Sequence, residues 1–544
     1  MSFRVSRLAL KTAFQNLKPE TRNLKLLSVN QKPATPRDAS AVILLNQDLS
    51  KVLWAQRNPK ISFLGGFHAF PGGKTDEPDA QVVVKNAAED LEKFIVSAAR
   101  ELFEEVGVLL ARGGEKLTRG QRASLHDDLI SGRSSFSEIL DDWGLSIDAR
   151  DFFYTGHWTT PQFSPVRFKT RFFIAVCPPR QTPYAAISEM QNIEFIAPED
   201  ALKRWENSEV LISPPVLISL QELAEFETQK RKNANENQLN NSPASLSLCV
   251  EKLLEKSQSC DGNIDYIALN PRVICFPLRT ETLPPATHTN CFIVGRQEFV
   301  VIDAASKVEP ELAKLFELID SFIEKGFVCR EIIVSHLHRD HFGGEGVLQN
   351  HLSAKFGLKI PVSAHRVTAE SLQGKVEFQK FIAPDEIIKL RDKAGARFEI
   401  TALHTPGHAR GHLVFYDAER GFLLSSDNVV GTGTVVIAPP EGDMTDYLAS
   451  LESMKNLPGL RHLCGSHGAA VYDARGKIEE YIAHRLEREK QVLEALETGA
   501  RTAEEITEIV YQGLKPELLP LAVKSVEAHL AKIERDKIAA NTAS

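Results

Sequence analysis

A multidomain protein built from α/β and α+β domains is the fold class that this 544-residue sequence predicts, and three observations carry it. The length exceeds what a single hydrophobic core serves, since domains usually run to about 100–200 residues. Strand-like runs of β-branched residues alternate with amphipathic helical stretches in two blocks, 36–227 and 263–476. Between them "TQKRKNANENQLNNSPASLS" (228–247) is rich in Asn, Ser and Lys and has little to bury, so an interdomain linker is expected over 228–262.

The elements follow in chain order. Residues 1–35 read as an extension; they are basic and almost free of acids, which is one mark of a mitochondrial transit peptide, but they are Ser-poor and lack a signal-peptide apolar core. A plain extension on a cytoplasmic protein is the expectation. "ASAVILL" (39–45) and "KVLWAQR" (51–57) flank "NQDLS", which has hairpin composition. A Gly/Pro-rich loop, "GGFHAFPGGKTDEPDA", leads to a helical stretch from about Asn86 to Val106 with apolar residues at Leu91, Phe94, Ile95, Ala98, Leu102 and Val106. "RFFIAVC" and "NIEFIAP" read as further strands, and a short helix opens at "APEDAL".

Beyond the linker, "NCFIVGRQEFVVID" predicts two strands about a Gly turn, ending at Asp303. "PELAKLFELIDSFIEKG" predicts an amphipathic helix and "REIIVSH" a buried strand, and the alternation continues through "RFEITALHTPGH" and "GFLLSSD". From Lys477 the chain turns mostly helical and forms a third, small region, 477–544.

Composition narrows the function classes. Hydrophobic content of 43% and charged content of 25% are ordinary for a soluble globular protein. A net charge of -8 supplies no overall field toward nucleic acid or an anionic membrane. No apolar run approaches the roughly 18–20 residues that span a bilayer. The seven cysteines are scattered without knuckle or disulfide-framework spacing, which suits a reducing compartment.

"SHLHRDHFGG" (335–344) packs His336, His338, Asp340 and His341 into six positions after an apolar strand. Side chains that alternate off a strand end let His336 and His338 share one metal while Asp340 and His341 reach a second. Imidazole with carboxylate selects a borderline ion such as Zn²⁺, with Mn²⁺ or Fe²⁺ as substitutes. The motif resembles the His-x-His-x-Asp-His signature of the metallo-β-lactamase-fold hydrolases. The family's other motifs occur in order: Asp303, His408 in "TPGHARGH", Asp427 in "LSSDNVVG" and His467 in "GSHG". Ser466 departs from the usual small Gly.

The resemblance covers about residues 265–475 and implies an αβ/βα sandwich. It further implies that His336, His338 and His408 hold one Zn²⁺, that Asp340, His341 and His467 hold another, and that Asp427 bridges them. Asp303 would orient a ligand from behind. Two ions about 3.5–4 Å apart would activate water and polarise a carbonyl or phosphoryl oxygen, with Asp340 counted among the catalytic residues. His288, His365, His404 and His462 have no matching partners in the sequence and read as surface or core residues, and Cys464 reads as packing. His412 is left open.

"RELFEEVGV" (100–108) raises a second site. On a helix Glu101, Glu104 and Glu105 share one side, and a hard divalent cation would relieve their repulsion and neutralise charge on a leaving phosphate. The stretch resembles the Nudix box. The likeness spans about residues 36–227 and implies a Nudix α/β/α sandwich. It implies Glu101, Glu104 and Glu105 as ligands of Mg²⁺ or Mn²⁺, Glu104 and Glu105 as catalytic, and Arg100 as a structural partner. Asn86 stands where the family's Gly belongs, and Gly73 lies 27 residues before Arg100 rather than fourteen. That insertion, with "SFLGGFHAFPGGK", "TPQFSPVRFKTRFFIAV" and "LISPPVLISLQEL", is similar to the peroxisomal-type coenzyme A diphosphatase branch. Glu189 reads as either a distal carboxylate or surface charge.

The segment beginning "HRLEREKQVLEALETG" resembles the small winged-helix tail found in the β-lactamase-like endoribonuclease and thioesterase branch. Its Lys and Arg are interleaved with Glu and Asp, so no clean basic face emerges. Three functions compete. The first is a bifunctional metallohydrolase that cleaves a CoA-like or nucleoside diphosphate at one site and a thioester or ester at the other, both small-molecule substrates. The second is an endoribonuclease whose partner is RNA and whose Nudix half acts on nucleotides. In the third, the Nudix half is a ligand sensor. The first is preferred, because both halves resemble families that handle coenzyme A or acyl thioesters and an acidic chain gives no support to phosphate-backbone binding.

Overall fold

The computed structural model describes residues 34–61, 63–185, 189–234, 243–392 and 395–542. The expected N-terminal extension lies almost wholly outside the described residues. The chain forms two compact units, one of residues 32–270 and one that takes in residues 271–544.

The first unit carries β1 (Arg37–Leu45), β2 (Val52–Arg57), β3 (Phe67–Ala69), β4 (Gly72–Lys74), β5 (Val84–Lys85), β6 (Ile147–Asp148), β7 (Phe153–Thr159), β8 (Phe168–Val176), β9 (Met190–Ile196), β10 (Leu211–Ile212) and β11 (Ile267–Asn270). Its helices are α1 (Glu92–Val106), α2 (Arg119–Ile130), α3 (Phe136–Asp142), α4 (Pro198–Glu206), α5 (Pro214–Ala234) and α6 (Pro243–Ser259). The central sheet runs β10-β3-β2-β1-β8-β7, with β4 paired to β1 and β9 to β2. The expected hairpin forms, with Leu45 opposite Val52.

Strand β1 is buried on both faces, which explains its unbroken apolar run. Val42 and Leu44 pack with Phe94, Ile95, Ala98 and Leu102 of α1. Ile43 and Leu45 face the other way and pack with Val216, Leu220 and Leu223 of α5. The result is a helix/sheet/helix sandwich.

Two expectations are corrected here. Residues 228–262 are not an open linker: 228–234 complete α5 and 243–259 form α6. Leu246, Cys249 and Leu253, spaced three and four apart, bring α6 into the apolar cluster of α5. Residues 235–242 lie outside the described residues. Helix α1 starts at Glu92 rather than Asn86, because Asn86 takes a left-handed φ of 59° beside the small β5–β6 ladder.

The second unit carries β12 (Val273–Arg279), β13 (His288–Gly295), β14 (Glu298–Ile302), β15 (Val328–Val334), β16 (Val362–His365) and β17 (Lys380–Ile382), paired in that order. A second sheet pairs β18 (Glu386–Arg391), β19 (Arg397–His404), β20 (Leu413–Asp417), β21 (Phe422–Ser426) and β22 (His462–Gly465). Helices α7 (Glu309–Glu324), α8 (Glu345–Phe356) and α9 (Arg366–Ser371) accompany the first sheet. Leu315, Ile319, Leu348 and Leu352 of α7 and α8 pack with Ile332 and Val334 of β15.

Helices α10 (Met444–Lys455) and α11 (Ala474–Glu497) cover the second sheet, where Tyr447, Leu451, Ile478 and Tyr481 pack with Val414 and Leu423. The unit is therefore a helix/sheet/sheet/helix sandwich of mixed α/β class. The end of α11 with α12 (Ala503–Val510) and α13 (Leu519–Thr542) forms a small cluster of its own through Val492, Leu496, Ile506, Val526 and Leu530.

Candidate metal centre

Strand β15 is parallel to β14 and β16, and β21 is parallel to β22, so the carboxyl ends of these strands release loops toward one region. His336, His338, Asp340 and His341 follow β15. His408 follows β19, Asp427 follows β21 and His467 follows β22. Asn290 of β13 stitches these loops, its amide donating to the carbonyls of Gly465 and Gly468 at 2.8 and 2.9 Å.

The structure brings together all seven residues expected there. His336, His338, His408 and Asp427 form one group whose donor atoms lie within 4.8 Å of one another, and Asp340, His341 and His467 form a second. The Asp427 carboxylate faces both groups. Its Oδ2 lies 3.9 Å from His336 Nε2 and 3.6 Å from His408 Nε2, and its Oδ1 lies 3.5 Å from His341 Nε2 and 3.4 Å from His467 Nε2. His336 Nε2 and His338 Nδ1 stand 3.0 Å apart.

Three of these buried atoms, His341 Nε2, His408 Nε2 and Asp427 Oδ1, have no hydrogen-bond partner among the described residues. A buried polar atom without a partner costs about 1–3 kcal/mol. Such atoms in both groups, with imidazole and carboxylate mixed, suit divalent cations. The residues fit that group.

The reverse edges of the rings are tied down. Asp303 accepts from the Ser335 backbone N–H and hydroxyl at 2.7 Å each and from His341 Nδ1 at 2.8 Å. Asp303 itself sits at φ 57° and Ser426 at φ 43°, strained conformations for residues other than Gly. His408 Nδ1 donates to the Val436 carbonyl at 3.0 Å and His467 Nδ1 to the His288 carbonyl at 2.8 Å. Each of these hydrogen bonds leaves the Nε2 lone pair of the neutral ring turned toward the cluster.

Electrostatics divides the rings into two kinds. Burial pushes His336 and His412 well below the ordinary imidazole range and His408 down to about 3. Burial would also lower His341 and His467, but the carboxylates around them outweigh it. Asp427, Asp303 and Asp340 hold His341 well above its usual range, and Asp427 and Asp340 raise His467 to about 10. Burial likewise opposes ionisation of Asp340 and Asp427, yet the neighbouring His341 and His467 keep both well below the usual carboxylate range. The cluster is thus built to hold anionic carboxylate against positive charge.

His412, left open by the sequence, is fully buried behind the cluster. Its Nε2 accepts the Asp427 backbone N–H at 3.2 Å while Nδ1 bonds the Thr405 hydroxyl at 3.1 Å. The second histidine of "GHARGH" was the available signal. His365 and His404 stack on one another at 4.3 Å, and Cys464 is buried packing, as expected.

In the first unit the glutamate helix behaves differently. Arg100 is gripped bidentately by buried Asp79, Nε to Oδ1 at 2.9 Å and Nη2 to Oδ2 at 3.0 Å, and also pairs with Glu101 at 2.9 Å and Glu104 at 3.0 Å. Glu105 accepts the Gly72 N–H at 2.8 Å. Glu101 presses on Gly73, where an added Cβ would stand 2.5 Å from the carboxylate. Burial raises Glu101 to about 7 and Glu105 to about 8, and it raises Glu104 as well.

The three carboxylates share a helix side as expected, yet they are not among the described groups with donors all within 4.8 Å of one another. Asp79, supplied by the insertion before the box, was missed. Glu189 is exposed.

The layering and the seven convergent donors define a metal-dependent hydrolase with a site suited to divalent metal. Residues 284–467 match the metallo-beta-lactamase superfamily, and residues 502–544 match the beta-lactamase associated winged helix domain. The chain is 30% identical over 267 residues to the Beta-lactamase-like protein 2 homolog of Drosophila melanogaster, which covers 46% of this chain and 82% of that one. It is 28% identical over 259 residues to the Atrochrysone carboxyl ACP thioesterase nsrC of Aspergillus novofumigatus, covering 47% of this chain and 73% of that one.

The chain belongs to the metallo-beta-lactamase superfamily. Among solved structures, a NUDIX hydrolase from Alicyclobacillus acidocaldarius is 29% identical, covers 35% of this chain and 92% of its own, and has a TM-score of 0.32. A metallo-beta-lactamase family protein from Thermus thermophilus is 23% identical, covers 50% of this chain and 95% of its own, and has a TM-score of 0.39. Among the described residues no helix is long and apolar enough to cross a membrane.

Proposed function

We propose that this chain is a bifunctional hydrolase, with a dinuclear site for a thioester or ester in the second unit and a diphosphate-cleaving site in the first. The observation that carries the first half is the Asp427 carboxylate, one oxygen facing His336 and His408 and the other facing His341 and His467. His336, His338 and His408 would hold one ion, zinc by donor chemistry, and Asp340, His341 and His467 the other, with Asp427 between them. Such a pair, when bound, supplies an activated water and a Lewis acid toward a carbonyl.

The chain's own residues do the rest. Asp303 fixes His341 in the tautomer that frees Nε2, the Val436 and His288 carbonyls do the same for His408 and His467, and His412 pins the backbone of Asp427.

For the first unit, Glu101, Glu104 and Glu105 would hold Mg²⁺ or Mn²⁺ against the phosphates of a CoA-like or nucleoside diphosphate derivative. Arg100, held by Asp79 and donating to the Lys74 carbonyl, keeps the helix and the Gly72–Lys74 strand in register. Support for small acyl substrates over RNA comes from the net charge of -8 and from the thioesterase name of one relative.

The test is a side-by-side turnover assay on metal-loaded protein with acyl-CoA, free coenzyme A, nucleoside diphosphate derivatives and single-stranded RNA. Acyl-CoA hydrolysis that is lost in His338→Ala, together with diphosphate cleavage that is lost in Glu104→Gln, is the expected outcome. Cleavage of RNA alone would overturn the substrate reading.

A further inference from the structure

Arg485 lies on α11, beyond the last expected ligand, yet it is only 2% exposed and no carboxylate among the described residues forms an ion pair with it. Burying a guanidinium is costly unless it is paired. Its partners are an unusual set for so costly a charge. Nη2 donates to the Val435 carbonyl at 2.5 Å and lies 3.5 Å from the Thr434 hydroxyl, and the guanidinium carbon stands 5.5 Å from the centre of the Tyr447 ring.

Each partner leads to a residue of the metal centre. Val435 precedes Val436, whose carbonyl accepts from His408 Nδ1. Tyr447 donates its hydroxyl to the Asn428 carbonyl, next to Asp427, and its backbone abuts Gly407, where an added Cβ would stand 2.2 Å from Tyr447 N and Cα. One turn earlier on α11, the Tyr481 hydroxyl accepts from Val430 N at 3.3 Å and donates to Val430 O at 3.2 Å. Helix α11 therefore clamps the loop after Asp427 at Val430 and at Val435.

We infer that Arg485 is a positioning residue for the metal centre: by gripping Val435 it holds the Val436 carbonyl that orients the His408 imidazole with Nε2 toward the cluster. The inference rests on the reading of His408 as a ligand, and it is separable from the choice of substrate. A purely architectural arginine would affect melting and leave ligand geometry alone. Arg485→Met keeps most of the stem and removes the donors. Arg485→Lys keeps the charge and one donor.

The full-length variants are compared in three measurements: hydrogen exchange over residues 428–443 in metal-free protein, cobalt(II) titration followed by the absorption spectrum, and kcat and KM on acyl-CoA. In Arg485→Met the expected result is faster exchange confined to 428–443, a changed cobalt spectrum, and cobalt affinity and kcat lower by about 10–100-fold with KM little changed. Arg485→Lys should recover part of each. Wild-type exchange and cobalt binding in Arg485→Met overturns the inference.

If Arg485→Met fails to fold, Arg485→Lys decides. Weakened cobalt binding at unchanged melting supports positioning, and wild-type cobalt binding refutes it. A wild-type protein that hydrolyses no thioester sinks the substrate reading, while the exchange and cobalt results still decide the role of Arg485.

Discussion

The His/Asp cluster of the second unit and the glutamate helix of the first are both crowded with metal-type donors, but they are assembled in opposite ways. The first draws seven donors from four loops across two sheets, holds the backs of His341, His408 and His467 by hydrogen bonds, and leaves several front atoms without partners. The second draws three carboxylates from two turns of one helix and ties two of them to Arg100 and the third to a backbone N–H. One site has its geometry set in advance. The other ties its carboxylates to one shared arginine and a backbone N–H and would have to release those contacts to take a cation.

The largest effect tests the preset site. Asp340→Ala should abolish hydrolysis at the proposed dinuclear centre and leave about one equivalent of metal, with circular dichroism unchanged. Full activity in that variant removes Asp340 from the chemistry. Next, Glu104→Gln with Glu105→Gln should lower diphosphate cleavage by orders of magnitude and leave turnover at the dinuclear site near wild type. Silencing of both activities without unfolding would mean that the two sites are coupled rather than independent.

A third change sharpens the contrast in charge balance. Asp79→Ala strips buried Arg100 of its bidentate partner, and the cost should be about 3 kcal/mol in urea denaturation of the first unit, the low end for a broken buried pair because Glu101 and Glu104 remain.

The smallest effect concerns pH. Glu101 at about 7 and Glu105 at about 8 lie above their unfolded values near 4.5, so the metal-free fold binds more protons than the unfolded chain across that window. Stability of α1 should be highest below about pH 4.5 and fall as pH rises through 7 to 8. Hydrogen exchange of the α1 amides reads this, and Mg²⁺ should flatten the trend. A slope that is indifferent to Mg²⁺ would argue that the glutamates hold no cation.

Most of the strands were legible in sequence, and "HLHRDH" keeps four residues of the cluster on one stretch of backbone; the sandwich class and the distant His408, Asp427 and His467 were expected only through the family resemblance, and the structure brings those three to the same cluster. What escaped was long-range. Asp79 meets Arg100 only through the fold of the insertion, and nothing local marks it as more than loop acidity. Helix α6 was hidden because its apolar stripe of Leu246, Cys249 and Leu253 follows an Asn-rich run that set the expectation of a linker. His412 accepts the Asp427 backbone N–H and Arg485 donates to the Val435 carbonyl; the second histidine of "GHARGH" hinted at the first, and no residue pattern announces the second.

The hydrogen bond from His467 to the His288 carbonyl joins residues 179 positions apart. Contacts of that span form late, because the chain must first meet the entropy of closing the loop between them. A folding intermediate with the β12–β17 sheet already paired would present His336, His338 and His341 while lacking His467 in place. Metal offered at that stage would meet an incomplete, more exposed donor set, so the order of folding and metal capture becomes a matter of cellular timing. Loading after closure favours a correctly filled centre, and loading before it favours a mismetallated one.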